Sequence, residues 1–256
     1  MKALEVIELS KSFGGVQAVD RLSFSVEEHE TLGIIGPNGA GKTTVFNLIT
    51  GLYQPNSGRV AFFGKDITNI HPSRPISLGI ARTFQNLRLF RNLSVLKNVT
   101  VPILAGEGYG PAAAVFESQS YIRAERDAQQ KAIDLLEFFR LSGKADQLAE
   151  SLPYGEQRRL ELARALAANP RLLLIDEPGA GMNPREIQDL LADIREIREK
   201  FHLTILIIEH QMGLIMNLSD RLVVMDFGEK IAEGTPQEIK KDPNVIEAYL
   251  GEEFKC

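Results

Sequence analysis

The spacing of apolar residues changes several times along the chain, and each change marks an element. Leu4 to Leu9 and Leu22 to Val26 alternate apolar and polar positions, which predicts half-buried strands with a turn at Phe13-Gly14-Gly15 between them. Leu32-Gly33-Ile34-Ile35, Leu172 to Ile175 and Thr204 to Ile208 are continuous apolar runs instead. Such runs belong to strands buried on both faces, as in a parallel sheet. Helical spacing governs Val45 to Leu52, Tyr121 to Leu141 (Ala128, Ala132, Leu135, Leu136, Phe139), Gln157 to Ala168 (Leu160, Ala163, Leu166, Ala167) and Pro184 to Lys200 (Ile187, Leu190, Leu191, Ile194, Ile197). Gly58 to Phe63 predicts a short strand closed by Gly64, and Ile80 to Gln85 begins as a strand. Arg221 to Met225 and Lys230 to Glu233 predict a hairpin across Phe227-Gly228-Glu229, and Pro236 to Leu250 a helix. Gly106 to Pro111 reads as a flexible loop, and from about residue 86 to 168 helices replace strands.

Composition narrows this picture. With 256 residues, 44% of them hydrophobic and 25% charged, the chain can bury one large core or a core plus a subdomain. No run approaches the roughly 18 to 20 apolar residues that span a bilayer, and Met1-Lys2-Ala3-Leu4-Glu5 has no secretory apolar region, so a cytoplasmic protein is expected. A net charge of −5 offers no general attraction for nucleic acid, and no nucleic-acid partner is expected. The single cysteine, Cys256, excludes an internal disulfide or a cysteine metal cluster. His29, His71, His202 and His210 have no metal-ligand spacing.

Candidate chemistry begins after the first buried run. Gly36-Pro37-Asn38-Gly39-Ala40-Gly41-Lys42-Thr43-Thr44 fits G-x-x-x-x-G-K-[ST] between a strand and a helix, the context that gives this pattern meaning. Glycines let the backbone turn successive N–H groups inward, the helix adds its positive end, Lys42 can reach β- and γ-phosphates, and the Thr43 hydroxyl can ligate Mg²⁺. Ligands of open α/β sheets bind at the carboxyl ends of the strands. There the run from Leu172 ends in Asp176, which can hold Mg²⁺ through its water shell, and Glu177, which can take a proton from an attacking water. The run from Thr204 ends in Glu209-His210, where the imidazole can contact a γ-phosphate or orient water.

Weaker signals stand beside these. Gln85 can give a neutral oxygen to Mg²⁺ or orient water, or it is a surface glutamine. Phe13 can stack on adenine or merely cover the core edge. Gly155, at the mouth of a helix, gives backbone N–H groups a clear approach to an anion, or is a plain cap. Arg158 and Arg159 read as solvated or paired charges.

Together these residues resemble the ATP-binding subunits of ABC transporters over nearly the whole chain. Gly36 to Thr44 is similar to the family's Walker A loop, Gln85 to its Q-loop, Leu172 to Glu177 to its Walker B strand with catalytic glutamate, His210 to its switch histidine, and Phe13 to its adenine-stacking aromatic. Leu152-Pro153-Tyr154-Gly155-Glu156 stands where the family has the Leu-Ser-Gly-Gly-Gln signature, which touches the ATP of a partner subunit. It departs from that pattern at Pro153, Tyr154 and Glu156, and Asn183 replaces the usual D-loop aspartate. Ile80 to Phe90 and Asp242 to Gly251 resemble the larger ATPase subunit of branched-chain amino acid importers, with urea-uptake and lipopolysaccharide-export ATPases as alternatives. A soluble ABC ATPase of DNA repair or translation lacks its coiled coil or second half here, and a P-loop kinase does not explain Gly155. The resemblance implies a P-loop NTPase (RecA-like) α/β core with an antiparallel β-subdomain and an inserted α-helical subdomain at about 86–168. It further implies Mg²⁺-dependent ATP hydrolysis with Mg²⁺ at Thr43, Gln85 and Asp176, a second ABC ATPase subunit, two transmembrane permease subunits and an extracytoplasmic solute-binding protein. The subunit would sit peripherally on the inner face of the cell membrane. Leu87, Leu89 and Phe90, just after Gln85, read either as a docking surface for the permeases or as subdomain core.

Overall fold

The computed structural model describes residues 1–106 and 119–253. They form two compact units: Met1–Ile80 together with the chain from Arg171 onward, and Ala81–Pro170.

The first unit contains two sheets. Strands β1 (Lys2–Phe13), β2 (Val16–Glu27), β4 (Ser57–Phe62) and β5 (Lys65–Asp66) form an antiparallel sheet in the order β2-β1-β4-β5. β1 and β2 extend beyond the alternating segments, since register shifts between Val6 and Leu9 and again between Leu9 and Ser12 break the period of two without ending the pairing. The second sheet takes in β3 (Thr31–Ile35), β6 (Ile80–Arg82), β7 (Leu172–Asp176), β8 (Thr204–Ile208), β9 (Arg221–Asp226) and β10 (Glu229–Gly234), in the order β10-β9-β3-β8-β7-β6. β9, β3, β8 and β7 run parallel, with the β9–β10 hairpin closing one edge. Every residue of β3, β7 and β8 is buried, as their unbroken apolar runs require. Arg221 of β9 joins the sheets: its guanidinium donates to the Ser25 carbonyl at 2.6 Å and to Glu30 at 2.8 Å. Between the sheets, Leu4, Leu9, Phe24, Leu32, Ile34, Phe46, Ile49, Leu174 and Leu206 belong to one apolar core.

Helices α1 (Lys42–Ile49), α5 (Pro184–Phe201) and α6 (Met212–Leu218) also belong to this unit. The stretch Pro236 to Leu250 is not one helix but two, α7 (Pro236–Ile239) and α8 (Pro243–Glu253). Pro243 has no N–H to continue α7, and the Asp242 carboxylate instead accepts the Asn244 N–H at 2.8 Å. The second unit holds α2 (Val95–Gly106), α3 (Gln119–Phe138) and α4 (Tyr154–Leu166). Gly106 closes α2, and the rest of the stretch to Pro111 lies outside the described residues. Among the described residues no helix is long and apolar enough to cross a membrane.

Candidate functional site

The order of the parallel strands assembles the site. β8 lies between β3 and β7, so the carboxyl ends of three neighbouring strands bring together the Gly36–Thr44 loop, His210 and the Asp176-Glu177 pair. In sequence, β4 to β6 and α2 to α4 lie between the loop and Asp176, and α5 lies between Glu177 and His210; the sheet makes them neighbours.

The loop is held tightly from behind. Gly36 has φ 150°, and a Cβ there would lie 2.0 Å from the Met225 carbonyl oxygen; Gly41 has φ 96°, and its Cβ would lie 2.1 Å from that of Ala18. Only glycine fits both places. The Gly228 N–H donates to the Ala40 carbonyl at 3.1 Å, tying the loop to the β9–β10 turn. Lys42 is 5% exposed, its ammonium donating to the carbonyls of Gly36 at 2.7 Å and Pro37 at 2.8 Å. Gly41 is the N-cap of α1, which has no side-chain cap and no acidic residue in its first turn. The first N–H groups of a helix lack intrahelical partners, so this end suits an outside anion. The Thr43 side chain is exposed at the same end, with Thr44 beside it partly buried.

Asp176 closes β7 at 3% exposure. Glu177 leaves the strand with φ 44°, a left-handed conformation costly for a side chain of this kind, and its N–H donates to the Ile208 carbonyl at 2.9 Å. This turn aims the carboxylate at the next strand end, where Glu177 Oε2 lies 3.7 Å from His210 Nδ1. The imidazole is about half exposed, so the pair is open to a ligand on one side. Such an arrangement can accept a proton from water and hold the acceptor in place.

Glu209 is a feature missed in the sequence. It is wholly buried, and its carboxylate accepts the N–H groups of Gly179 at 3.0 Å, His210 at 2.7 Å and Gln211 at 3.1 Å. One carboxylate thereby straps the turn after Glu177 to the His210 turn. A charged residue directly after an apolar strand was the available signal.

Phe13 ends β1 at 41% exposure and packs edge-on against Tyr53, ring centroids 5.1 Å apart. Lys11 Nζ stands 5.1 Å from its ring. Asn183 is the N-cap of α5, its side chain accepting the N–H groups of Arg185 and Glu186, each at 3.0 Å, while Glu186 returns a bond to the Asn183 N–H. Asparagine caps as well as aspartate does, so the local structure survives the departure.

In the second unit, Gln85 follows β6 and is exposed. Leu152 is buried, Pro153 precedes α4, and Tyr154, Gly155 and Glu156 form its first turn. Lys144 donates to both oxygens of Glu156, at 2.7 and 2.5 Å, so the anion in this turn is neutralised. Arg158 is not solvated: it is 3% exposed and donates to the carbonyls of Phe84 and Gln85. Phe90 is 44% exposed beneath the Arg164 guanidinium, 4.6 Å from its ring centroid, and so does not fill a core.

Comparison with known proteins gives the family of the chain. The family model described as ABC transporter matches residues 19–180, and that described as branched-chain amino acid ATP-binding cassette transporter matches residues 229–255. Over 249 residues the chain is 43% identical to the high-affinity branched-chain amino acid transport ATP-binding protein BraF of Pseudomonas aeruginosa, covering 97% of this chain and 98% of that protein. It is 41% identical to LivG of Escherichia coli, which carries the same description, over 249 residues with the same coverage of 97% and 98%. The crystal structure of the ADP conformation of an ATP-binding cassette of an ABC transporter superposes with a TM-score of 0.85 at 37% identity, covering 98% of this chain and 99% of that one. A nucleotide-free ATP-binding cassette from an ABC transporter gives 0.83 at 38% identity, covering 97% and 99%. The chain therefore belongs to the ABC transporter family, as one of its ATP-binding subunits.

Proposed function

We propose that this subunit hydrolyses ATP to drive import of branched-chain amino acids. The observation that carries the chemistry is the convergence of the phosphate loop, Glu177 and His210 on neighbouring strand ends. The solute class rests on the end-to-end likeness to BraF and LivG.

In this reading the backbone of Gly36, Pro37, Asn38, Gly39, Ala40 and Gly41 and the N-terminus of α1 cradle the phosphates of ATP. Lys42 exchanges its carbonyl partners for β- and γ-phosphate oxygens, Thr44 completes the cradle, and Phe13 stacks on the adenine. The uncapped end of α1 and the absence of acid in its first turn fit a polyanion. The Thr43 hydroxyl, the Asp176 carboxylate and the Gln85 amide are oxygen donors suited to Mg²⁺, a hard cation that keeps several waters. Bound there, Mg²⁺ would offset phosphate charge as the terminal phosphoryl group departs. Glu177 accepts the proton of the attacking water, and His210 holds Glu177 and that water in line. Leu152, Pro153, Tyr154, Gly155 and Glu156 face the ATP of a second ABC subunit in a dimer closed by ATP, below two permease subunits fed by an extracytoplasmic solute-binding protein. Residues of about 86–168 act as the helical subdomain. The site lies on the cytoplasmic face of the membrane.

The test is Glu177→Gln, which removes the proton acceptor and leaves the cradle intact. ATP should still bind and drive dimerisation in sedimentation, while steady-state hydrolysis falls by at least 100-fold. Lys42→Ala should instead raise the Kd for ATP. Hydrolysis by Glu177→Gln at the parent rate would refute the assignment.

A further inference from the structure

Beyond the residues assigned above, the second unit contains a row of charged side chains turned inward. Arg158, Glu161 and Arg164 follow one another at i, i+3 spacing along α4, and all three engage the segment from Phe84 to Phe90. One Arg158 nitrogen donates to the Phe84 carbonyl at 2.8 Å, the other to the Gln85 carbonyl at 2.5 Å and to the Tyr154 hydroxyl at 3.1 Å. Glu161 accepts from Arg158 at 3.1 Å, and from the N–H groups of Phe84 at 3.4 Å and Arg88 at 3.3 Å. Arg164 donates to the Arg88 carbonyl. Residues 84–90 have no helix or strand to satisfy their backbone, and these side chains take that part.

This arrangement is costly as mere glue. Arg158 is 3% and Glu161 5% exposed, and burial pushes the Glu161 carboxyl above its usual value despite the guanidinium beside it. Apolar side chains of similar volume stabilise a core at least as well as a buried ion pair. They cannot grip a backbone by both its carbonyls and its N–H groups. The forked guanidinium can, and it touches Tyr154, the first residue of α4, with the same nitrogen that holds Gln85.

We propose that Arg158, with Glu161, is a positioning residue that makes the Tyr154-Gly155 turn and the Gln85 backbone one rigid piece. A displacement at either of these nucleotide-facing segments is then imposed on the other, so the residue that reads this chain's own ATP and the turn that reads the partner's move together. The inference rests on the ATPase reading above; failure of that reading appears in the unsubstituted chain as absence of hydrolysis.

The experiment uses the full-length chain. Arg158→Ala alone strands a buried carboxylate and risks unfolding, so the informative variant is the double substitution Arg158→Met with Glu161→Met, beside Arg158→Lys, which keeps the charge but loses the fork. Two readouts are taken on variants with parent-like melting: amide exchange at Phe84 and Arg88, and the ATP dependence of hydrolysis. The double variant should lose protection at both amides, and both variants should keep KM for ATP within about twofold while kcat falls at least tenfold. Unchanged protection in the double variant overturns the clamp whatever its ATPase activity. So does a parent kcat in the folded double variant or in Arg158→Lys, and so does a loss expressed only in KM.

Discussion

Replacing Glu209 by glutamine tests whether one buried carboxylate holds the Glu177 and His210 turns together. The side chain is 0% exposed, with Oε1 on the Gly179 N–H and Oε2 shared by the N–H groups of His210 and Gln211. Glutamine has one acceptor oxygen. Its best orientation keeps that oxygen on His210 and Gln211 and turns the amide NH₂ toward the Gly179 N–H, donor against donor. No rearrangement of Gly179 is at hand, because the Gln211 amide already binds its carbonyl at 3.2 Å. A lost hydrogen bond to a charged group costs about 1.5–3 kcal/mol, and the two that remain weaken when their acceptor becomes neutral. Relief of burying a charge offsets part of this, leaving a net loss of about 3 kcal/mol. For a chain of this size about 1 kcal/mol shifts Tm by roughly 2–4 °C, so melting should move down by about 6–12 °C. Below that transition kcat should also fall, roughly tenfold, since the His210 turn is no longer held in place opposite Glu177. Thermal unfolding and steady-state ATPase at a temperature where the variant is folded measure both. A Tm within about 2 °C of the parent's would show that the strap carries little, and the reasoning would fail with it.

Three further outcomes follow from the geometry. Gly41→Ala places its Cβ against the Ala18 carbonyl and should abolish ATP binding or folding, whereas Gly39→Ala, with nothing within 4 Å of its Cβ, should cost only the left-handed strain of about 1–2 kcal/mol; thermal denaturation of the pair separates them. Phe90→Ser should leave the Tm and ATPase of the isolated subunit unchanged and lower transport in the assembled complex, since Phe90 is 44% exposed and belongs to the candidate docking surface for the permeases; loss of stability would point to a packing role. Burial raises the Glu161 pKa, so at pH values between the unfolded and folded pKa the native chain holds a proton that the unfolded chain releases. Its contribution to stability is present below the unfolded value and lost as pH rises through the folded one. Glu161→Gln lacks this loss, so parent stability relative to the variant should decline with rising pH in denaturant titrations, and a rise would contradict the burial argument.

The parallel strands were legible because a strand covered on both faces leaves an unbroken apolar run, and Leu172 to Ile175 and Thr204 to Ile208 have no other use for one. The phosphate loop was legible because its residues form one short contiguous pattern between a strand and a helix, although the contacts that demand glycine at Gly36 and Gly41 come from Met225 and Ala18, far away in sequence. What the sequence withheld is adjacency. Nothing in the spacing places β8 between β3 and β7, and that placement alone puts His210 within reach of Glu177. Buried charge was withheld for the same reason: Arg158 and Glu161 resemble surface residues until residues 84–88, far away in sequence, supply the carbonyls and N–H groups that admit them to the interior. The break before Pro243 was a local signal in the sequence, since proline cannot donate the N–H that would continue the preceding helix.

The departures from the family signature find partners within this chain. Pro153 stands at the N-cap of α4 without a side-chain hydroxyl, so no cap hydrogen bond competes for the first N–H groups of the helix. Tyr154 spends its hydroxyl on Arg158 and becomes part of the link to Gln85. Glu156 would repel a phosphate facing this turn were it alone, yet both its oxygens are taken by Lys144, and a paired carboxylate projects far less field than a free one. Gly155 keeps the approach to the backbone clear. In the proposed dimer this turn would meet the partner's ATP through backbone N–H groups rather than side chains, on a support stiffened by Arg158. In the proposed dimer its grip on the partner's ATP then depends on how well α4 is held, which is the part given to Arg158 and Glu161.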